Sequence, residues 1–266
     1  WVHRATRGWS YGSSVVDPRT GELIKGHVTL GSLRVRQDYL IALGLTSPFD
    51  GESSGTAPQQ AMALARIRQL SAHEVGHTLG IAHNFAASEN GRASVMDYPH
   101  PLVTLKRGKI TLEGAYDDGI GDWDKYVVTY GYQDFVDEQA ETEGLALLVA
   151  DMQARGFKYK SDPDSRSARH GSSDGHLWDN GADPIRAFEQ ITAVRKVALD
   201  NLGLNTIETG ANLSSIEAAL VPIYLLHRYQ LDALAKQVGG INYEYEVKQT
   251  GVKPKGVTVV SARTQK

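Results

Sequence analysis

The period of the apolar positions changes several times along the chain, and each change marks an element. Residues 9–30 read as a β-hairpin: Ser14-Val15-Val16 runs into the turn cluster Asp17-Pro18-Arg19-Thr20-Gly21, and Glu22 to Leu30 returns as the second strand. Pro18 and Gly21 supply the fixed and the permissive φ that such a turn needs. Residues 46–58, rich in Ser, Gly and Pro, predict a loop. From Gln59 to Leu79 the apolar residues Met62, Leu64, Ala65, Ile67 and Leu70 recur at helical spacing. Gly80 is placed to stop that helix in the left-handed cap conformation.

Beyond about residue 100 the pattern turns mainly helical. Asp122 and Asp124 predict a helix start, where acidic side chains suit the helix dipole. A second helix is expected from Asp137 to Arg155, followed by a long polar loop over 160–183. Asp183-Pro184 reads as an N-cap with proline at the first helical position, opening a helix to about Leu202. Ser214-x-x-Glu217 has the form of a capping box for a helix running to Lys236 with a kink at Pro222. Ile241, Tyr243, Tyr245 and Val247 alternate with polar residues, which predicts a strand. The expected organisation is a catalytic unit over residues 1–110 and a mainly helical subdomain over 111–266.

Composition narrows the chemistry. The chain has 266 residues, with 28 Lys+Arg against 31 Asp+Glu, so no broad basic footprint for nucleic acid exists. No apolar run approaches the roughly 20 residues that span a membrane. With no cysteine, disulfides, thiolate nucleophiles and Cys-type zinc sites are excluded. Any metal must be held by carboxylates or by some of the nine His. The chain opens on Trp1-Val2-His3-Arg4 without an initiator Met or an apolar leader, and reads as a mature or excised segment.

One stretch carries the chemistry: His73-Glu74-Val75-Gly76-His77-Thr78-Leu79-Gly80-Ile81-Ala82-His83. Four residues on a helix place His73 and His77 on one face, one turn apart, so both imidazoles can reach one zinc. Glu74 lies beside them and can reach a water instead of the ion. Gly80 turns the chain, so His83 can return as a third ligand. Three protein ligands plus water is the open, catalytic type of zinc site, whereas a structural site has four protein ligands. His-Glu-x-x-His alone arises by chance in roughly 2% of chains this long, and the added Gly and His reduce that to the order of 10⁻⁴.

His-Glu-x-x-His-x-x-Gly-x-x-His followed by a Met-containing turn, here Ser94-Val95-Met96-Asp97-Tyr98, resembles the metzincin zinc endopeptidases. Arg7 to Gly12, Asp17 to Glu22 and Tyr98-Pro99-His100-Pro101 extend the likeness to the catalytic part of large bacterial secreted zinc metalloproteases. The resemblance implies an α+β, metzincin-like zincin fold: a small twisted sheet plus an active-site helix, with the helical subdomain behind. It implies Zn2+ held by His73, His77 and His83, Met96 as a hydrophobic base under the ion, and Glu74 as general base. Tyr98 stands where some branches place an oxyanion-stabilising tyrosine. It further implies a peptide or protein substrate, held as an added strand along a sheet edge near Lys25 to Leu30, and a secreted or periplasmic location. Asn84 follows the third His and differs from the Glu, Asp or Ser of the best-known branches, so no branch is assigned. The 72 residues before His73 read as a shortened front.

Two rivals stand beside this reading: a zinc hydrolase acting on a non-peptide amide, and a non-enzymatic binding module. Structural Ca2+ is an alternative for the acidic loop Asp117 to Asp124, which fails EF-hand spacing, and for Asp162, Asp164, Asp174 and Asp179. His3, His27, His100, His170, His176 and His227 share no ligand spacing and read as surface or packing residues.

Overall fold

The computed structural model describes residues 2–3, 9–49, 55–166, 170–248 and 253–266. Arg7 and Gly8 of the family likeness, and residues 50–54 of the expected loop, lie outside the described residues. In chain order the first elements are β1 (Val2–His3), β2 (Tyr11–Val16), β3 (Leu23–Gly31), α1 (Leu33–Thr46) and α2 (Ala57–Thr78). Next come β4 (Thr104–Lys106), β5 (Lys109–Thr111), α3 (Asp122–Tyr132), α4 (Glu138–Ala154), α5 (Asp162–Ser165) and α6 (Pro184–Asn201). The last are α7 (Ser215–Tyr224), α8 (Arg228–Ala235), β6 (Ile241–Asn242) and β7 (Thr258–Val259). The fold is mixed α and β, with small sheets and several helices.

The chain divides into two interleaved units. The first comprises Trp1–Gly80, His100–Gly119 and Pro184–Leu231. Its sheet has the order β1-β3-β2, with β2 and β3 antiparallel from Tyr11↔Thr29 to Val16↔Leu23. The hairpin turn closes as expected, with the Gly21 N–H donating to the Asp17 carbonyl at 2.9 Å. Substrate addition is expected along Lys25 to Leu30; these residues lie in β3, which pairs with β2 from Leu23 to Thr29 and, among the described residues, with β1 only at Leu30 and Gly31. Helix α2 packs on this hairpin. The approach is so close that a Cβ on Gly12 would stand 2.0 Å from the Glu74 carbonyl oxygen. Helix α1, for which the alternation gave no signal, packs on α2, α6 and α7. Leu45, Val103, Ile191, Val194, Ala198, Ile223 and Leu226 form the apolar core there.

The second unit comprises Ile81–Pro99, Ile120–Asp183 and Asp232–Lys266. It holds α3, α4 and α5, and much of the rest is irregular backbone tied by side chains. Asp137 caps α4 by accepting from the Ala140 N–H at 2.8 Å. Lys160 is fully buried: its Nζ donates to the Tyr243 carbonyl, lies 3.4 Å from the Tyr243 ring centroid, and stands 3.5 Å from Asp174 Oδ1.

Three further expectations change. The polar stretch 160–183 contains the short helix α5. The single helix expected from Ser214 to Lys236 is two, α7 and α8, separated soon after Pro222, and Ser214 makes no side-chain cap. Pro222 lies inside α7, which continues two residues past it, so the break falls C-terminal to the proline and not in the turn that the proline crowds. The strand expected to Val247 is ordered as a strand only at Ile241–Asn242, pairing with β7.

Candidate active site

The helical half of the motif lies on α2. The Nε2 atoms of His73 and His77 are 3.1 Å apart, and the rings meet edge to face with centroids 4.7 Å apart. Two nitrogens each bound to one tetrahedral zinc stand about 3.3 Å from one another. The observed pair therefore has the separation such an ion requires. Its donors are imidazoles, which suit zinc and are poor partners for calcium. Glu74 is buried one residue along the helix from His73. Its carboxylate accepts a hydrogen bond from the Gly12 backbone N–H. Burial pushes its pKa up to about 7, against the opposing pull of that bond and of the Arg66 guanidinium. A carboxyl poised near neutrality can both take and return a proton.

The helix ends at Thr78, and Gly80 adopts φ +78°. This left-handed turn carries the chain to His83, as the motif predicts. Nδ1 of His83 is 2.8 Å from Asp162 Oδ2. Because a carboxylate only accepts, Nδ1 carries the proton of this bond, and in the neutral imidazole the lone pair then lies on Nε2. One face of the ring stacks on Phe85, with centroids 5.0 Å apart, and the Tyr98 ring meets it edge-on at 4.8 Å. Each of the three imidazoles in the segment His73 to His83 offers one nitrogen, and these nitrogens lie within 4.8 Å of one another.

Tyr98 is fixed at both ends. Its hydroxyl oxygen accepts from Arg166 Nη2 at 2.8 Å, and its carbonyl accepts from the Trp178 N–H at 2.8 Å. Arg166 also donates to Asp162 through Nε. Burial acts to raise the Asp162 carboxyl, but the hydrogen bonds from Arg166 and His83 outweigh it and hold the group below its usual range. Met96 is buried within the turn that precedes Tyr98. That turn is built from side chains: Met96 N–H donates to Ser94 Oγ at 2.8 Å, and Val95 N–H donates to Asp124 Oδ2 at 2.8 Å. Asn84 holds the segment after His83. It donates to the Lys158 carbonyl at 2.9 Å and accepts from the Ala86 and Lys160 N–H groups at 3.1 Å each.

Sequence reasoning named His73, Glu74, His77, His83, Met96 and Tyr98; it named Asp162 only as a calcium alternative, and did not name Arg166 or Trp178. Ser161-Asp162-Pro163 carries a helix-start signal that could have located α5. Nothing in the spacing ties it to His83, 79 residues away. The calcium alternative finds no support, and several of its carboxylates are engaged by protein donors. Asp124 accepts from Ser94, Val95 and Gly121, Asp164 from Tyr243 and Tyr245, and Asp174 from Lys158 and Ser172.

A helix bearing two His and a buried Glu, a glycine turn leading to a third His, and a buried Met in the following turn define the metzincin class of zinc metalloproteases. A family model described as Met-zincin matches residues 55–266, and the chain belongs to that family. No curated protein and no solved structure gives a significant match.

Proposed function

We propose that this chain is a zinc-dependent endopeptidase in which His73, His77 and His83 hold the ion and Glu74 is the general base. The observation that carries the reading is the convergence of the three imidazole nitrogens within 4.8 Å beside a buried glutamate. When bound, zinc supplies Lewis acidity, which acidifies water and polarises a peptide carbonyl. Glu74 takes the proton of the attacking water and delivers it to the leaving amine. The Gly12 N–H keeps the Glu74 carboxylate oriented while it does so. Tyr98, whose oxygen accepts from Arg166, is assigned to donate its own proton toward the oxyanion. Met96, which is buried, is assigned the role of apolar floor beneath the three His by likeness to the family pattern. The substrate is a peptide or protein.

Metal analysis and peptide cleavage together test the proposal. Protein purified without chelator is expected to carry zinc near 1:1 and to cleave a peptide library. Glu74→Ala should keep the zinc and lose at least about 10³-fold in kcat, the upper part of the range for a general base. A chain without zinc sinks the metal site, and a Glu74→Ala variant as fast as the parent sinks the general-base assignment. Cleavage confined to non-peptide amides would move the assignment to a different zinc hydrolase.

A further inference from the structure

We propose that Asp162 is a positioning residue for the metal site: it fixes the tautomer and ring orientation of His83 and so raises the affinity of the chain for zinc. The inference rests on reading His83 as a metal ligand. Several contacts bear on the His83 ring, among them the following. Phe85 covers one face at 5.0 Å, the Tyr98 ring abuts it at 4.8 Å, and Asp162 Oδ2 takes the Nδ1 proton at 2.8 Å. Among these only the carboxylate selects the tautomer, because it can accept a proton but not give one. That leaves Nε2 as the nitrogen with a lone pair for an ion.

The carboxylate is itself held. Its other oxygen, Oδ1, accepts from Arg166 Nε, and Arg166 reaches through Nη2 to the Tyr98 hydroxyl at 2.8 Å. His83, Asp162, Arg166 and Tyr98 thus form a closed circuit. The ring contact between Tyr98 and His83 is one side of it, and charged hydrogen bonds are two others. An imidazole left without such a partner would have to give up side-chain freedom and choose between tautomers on meeting the ion. Prior fixing by a carboxylate removes that cost and makes Nε2 more basic. Removal of such an outer partner typically weakens metal binding about 10- to 100-fold.

Asp164, two residues on in the same short helix, supplies the internal control. Its carboxylate accepts from the hydroxyls of Tyr243 and Tyr245 and anchors the local backbone instead of the imidazole. The experiment is a chelator-competition titration of zinc into the full chain. It is paired with the visible absorption of the cobalt-substituted protein, which reports the ligand field and not activity. Asp162→Ala is expected to raise the zinc Kd about 10- to 100-fold and to shift the cobalt bands. Asp162→Asn, which keeps an acceptor for Nδ1–H, should fall between it and the parent. Asp164→Asn should match the parent in both readouts.

A parent-like Kd and cobalt spectrum in Asp162→Ala would overturn the inference. So would an Asp164→Asn variant weakened as much as Asp162→Ala, since the loss would then be one of local folding. If Asp162→Ala does not fold, the near-isosteric Asp162→Asn decides by the same measurements: a parent-like Kd refutes the role and a raised one upholds it. A parent that binds no zinc defeats the metal-site reading itself. A parent that binds it, with Asp162→Ala unchanged, defeats this inference alone.

Discussion

The two units of this chain hold their parts of the motif by different physics. In the first, His73, Glu74 and His77 ride on α2, and their mutual placement follows from helical pitch and from the close seating of the helix on Gly12. In the second, His83, Met96 and Tyr98 sit on irregular backbone. Their placement depends on side chains reaching across the sequence: Asn84 to Lys158 and Lys160, Ser94 and Val95 to Asp124, His83 to Asp162. A local period can be read from a sequence. A lattice of hydrogen bonds between residues 29 to 79 positions apart cannot. The same contrast separates how each unit should fail when perturbed, since a helix seated on a strand fails by steric exclusion and an irregular segment by unmet polar groups.

The sharpest test of the steric half is Gly12→Ala. The added Cβ would meet the Glu74 carbonyl oxygen at 2.0 Å, its carbon at 2.8 Å and the His77 Cβ at 3.0 Å. The first two are backbone atoms in the middle of a helix and have no rotamer by which to retreat. The expected loss is more than about 3 kcal/mol, at the upper end for inserting a methyl into a packed region. Urea unfolding of parent and variant measures it. An unchanged midpoint would mean that α2 does not seat on β2 as described.

Asn84→Ala addresses the polar half. It strands the Lys158 carbonyl and the N–H groups of Ala86 and Lys160 in the interior, since Asn84 is almost fully buried. Unmet buried groups cost about 1–3 kcal/mol each when water cannot replace the partner, so a loss of about 3 kcal/mol is expected. Asn84→Asp keeps both accepted bonds and loses only the donated one, and should lose less if its charge is met by Lys158 or Lys160. Equal losses in the two variants would show that the amide's acceptor side does not hold the segment.

This pair of tests also marks where the sequence stopped being legible. The hairpin, α2, the glycine turn and the starts of α3, α4 and α6 follow from period, caps and turn residues, and the structure has them. Asn84 was visible in the sequence only as a departure from better-known branches, while in the structure it is a hub for residues 158–160. Helix α1 escaped because its apolar residues are spread around the helix, with Asp38 buried among them in a salt bridge to Arg34 at 2.7 Å. The tyrosines at 243 and 245 alternate like a strand, yet they are placed by Asp164 and Lys160 instead of by a ladder.

Histidine gives a subtler comparison. His83 meets a carboxylate in the second unit, whereas His100 in the first is buried, with Arg228 nearby. Burial pushes the His100 imidazole down to about 4, and Arg228 acts in the same direction. The folded-state value is depressed below the ordinary 6.5, so between those values the unfolded chain binds a proton that the folded chain refuses. This contribution is absent above about pH 7, destabilises progressively as pH falls from about 6.5 to about 4, and is constant below. At pH 5 it amounts to about 2 kcal/mol. His100→Gln should remove it. The stability difference between variant and parent, followed by urea unfolding from pH 7 to pH 5, should shift by about that amount in favour of the variant. A pH-independent difference would mean that His100 titrates normally in the fold.

The smallest expected effect separates two reasons for glycine within a single unit. Gly80 has φ +78° and nothing within 4 Å of where a Cβ would stand, so its requirement is conformational and not steric. Gly80→Ala places an ordinary residue in the left-handed region at a cost of about 1 kcal/mol. Gly80→Asn should cost less, because Asn tolerates that region through local hydrogen bonding. Gly12 admits no such rescue, since any side chain meets the same carbonyl. Thermal melts of the two Gly80 variants beside Gly12→Ala therefore test the distinction: Asn restoring stability at 80 while Ala at 12 abolishes it. If Gly80→Asn is as damaging as Gly80→Ala, the turn that delivers His83 is held by packing after all, and the contrast between its two ends disappears.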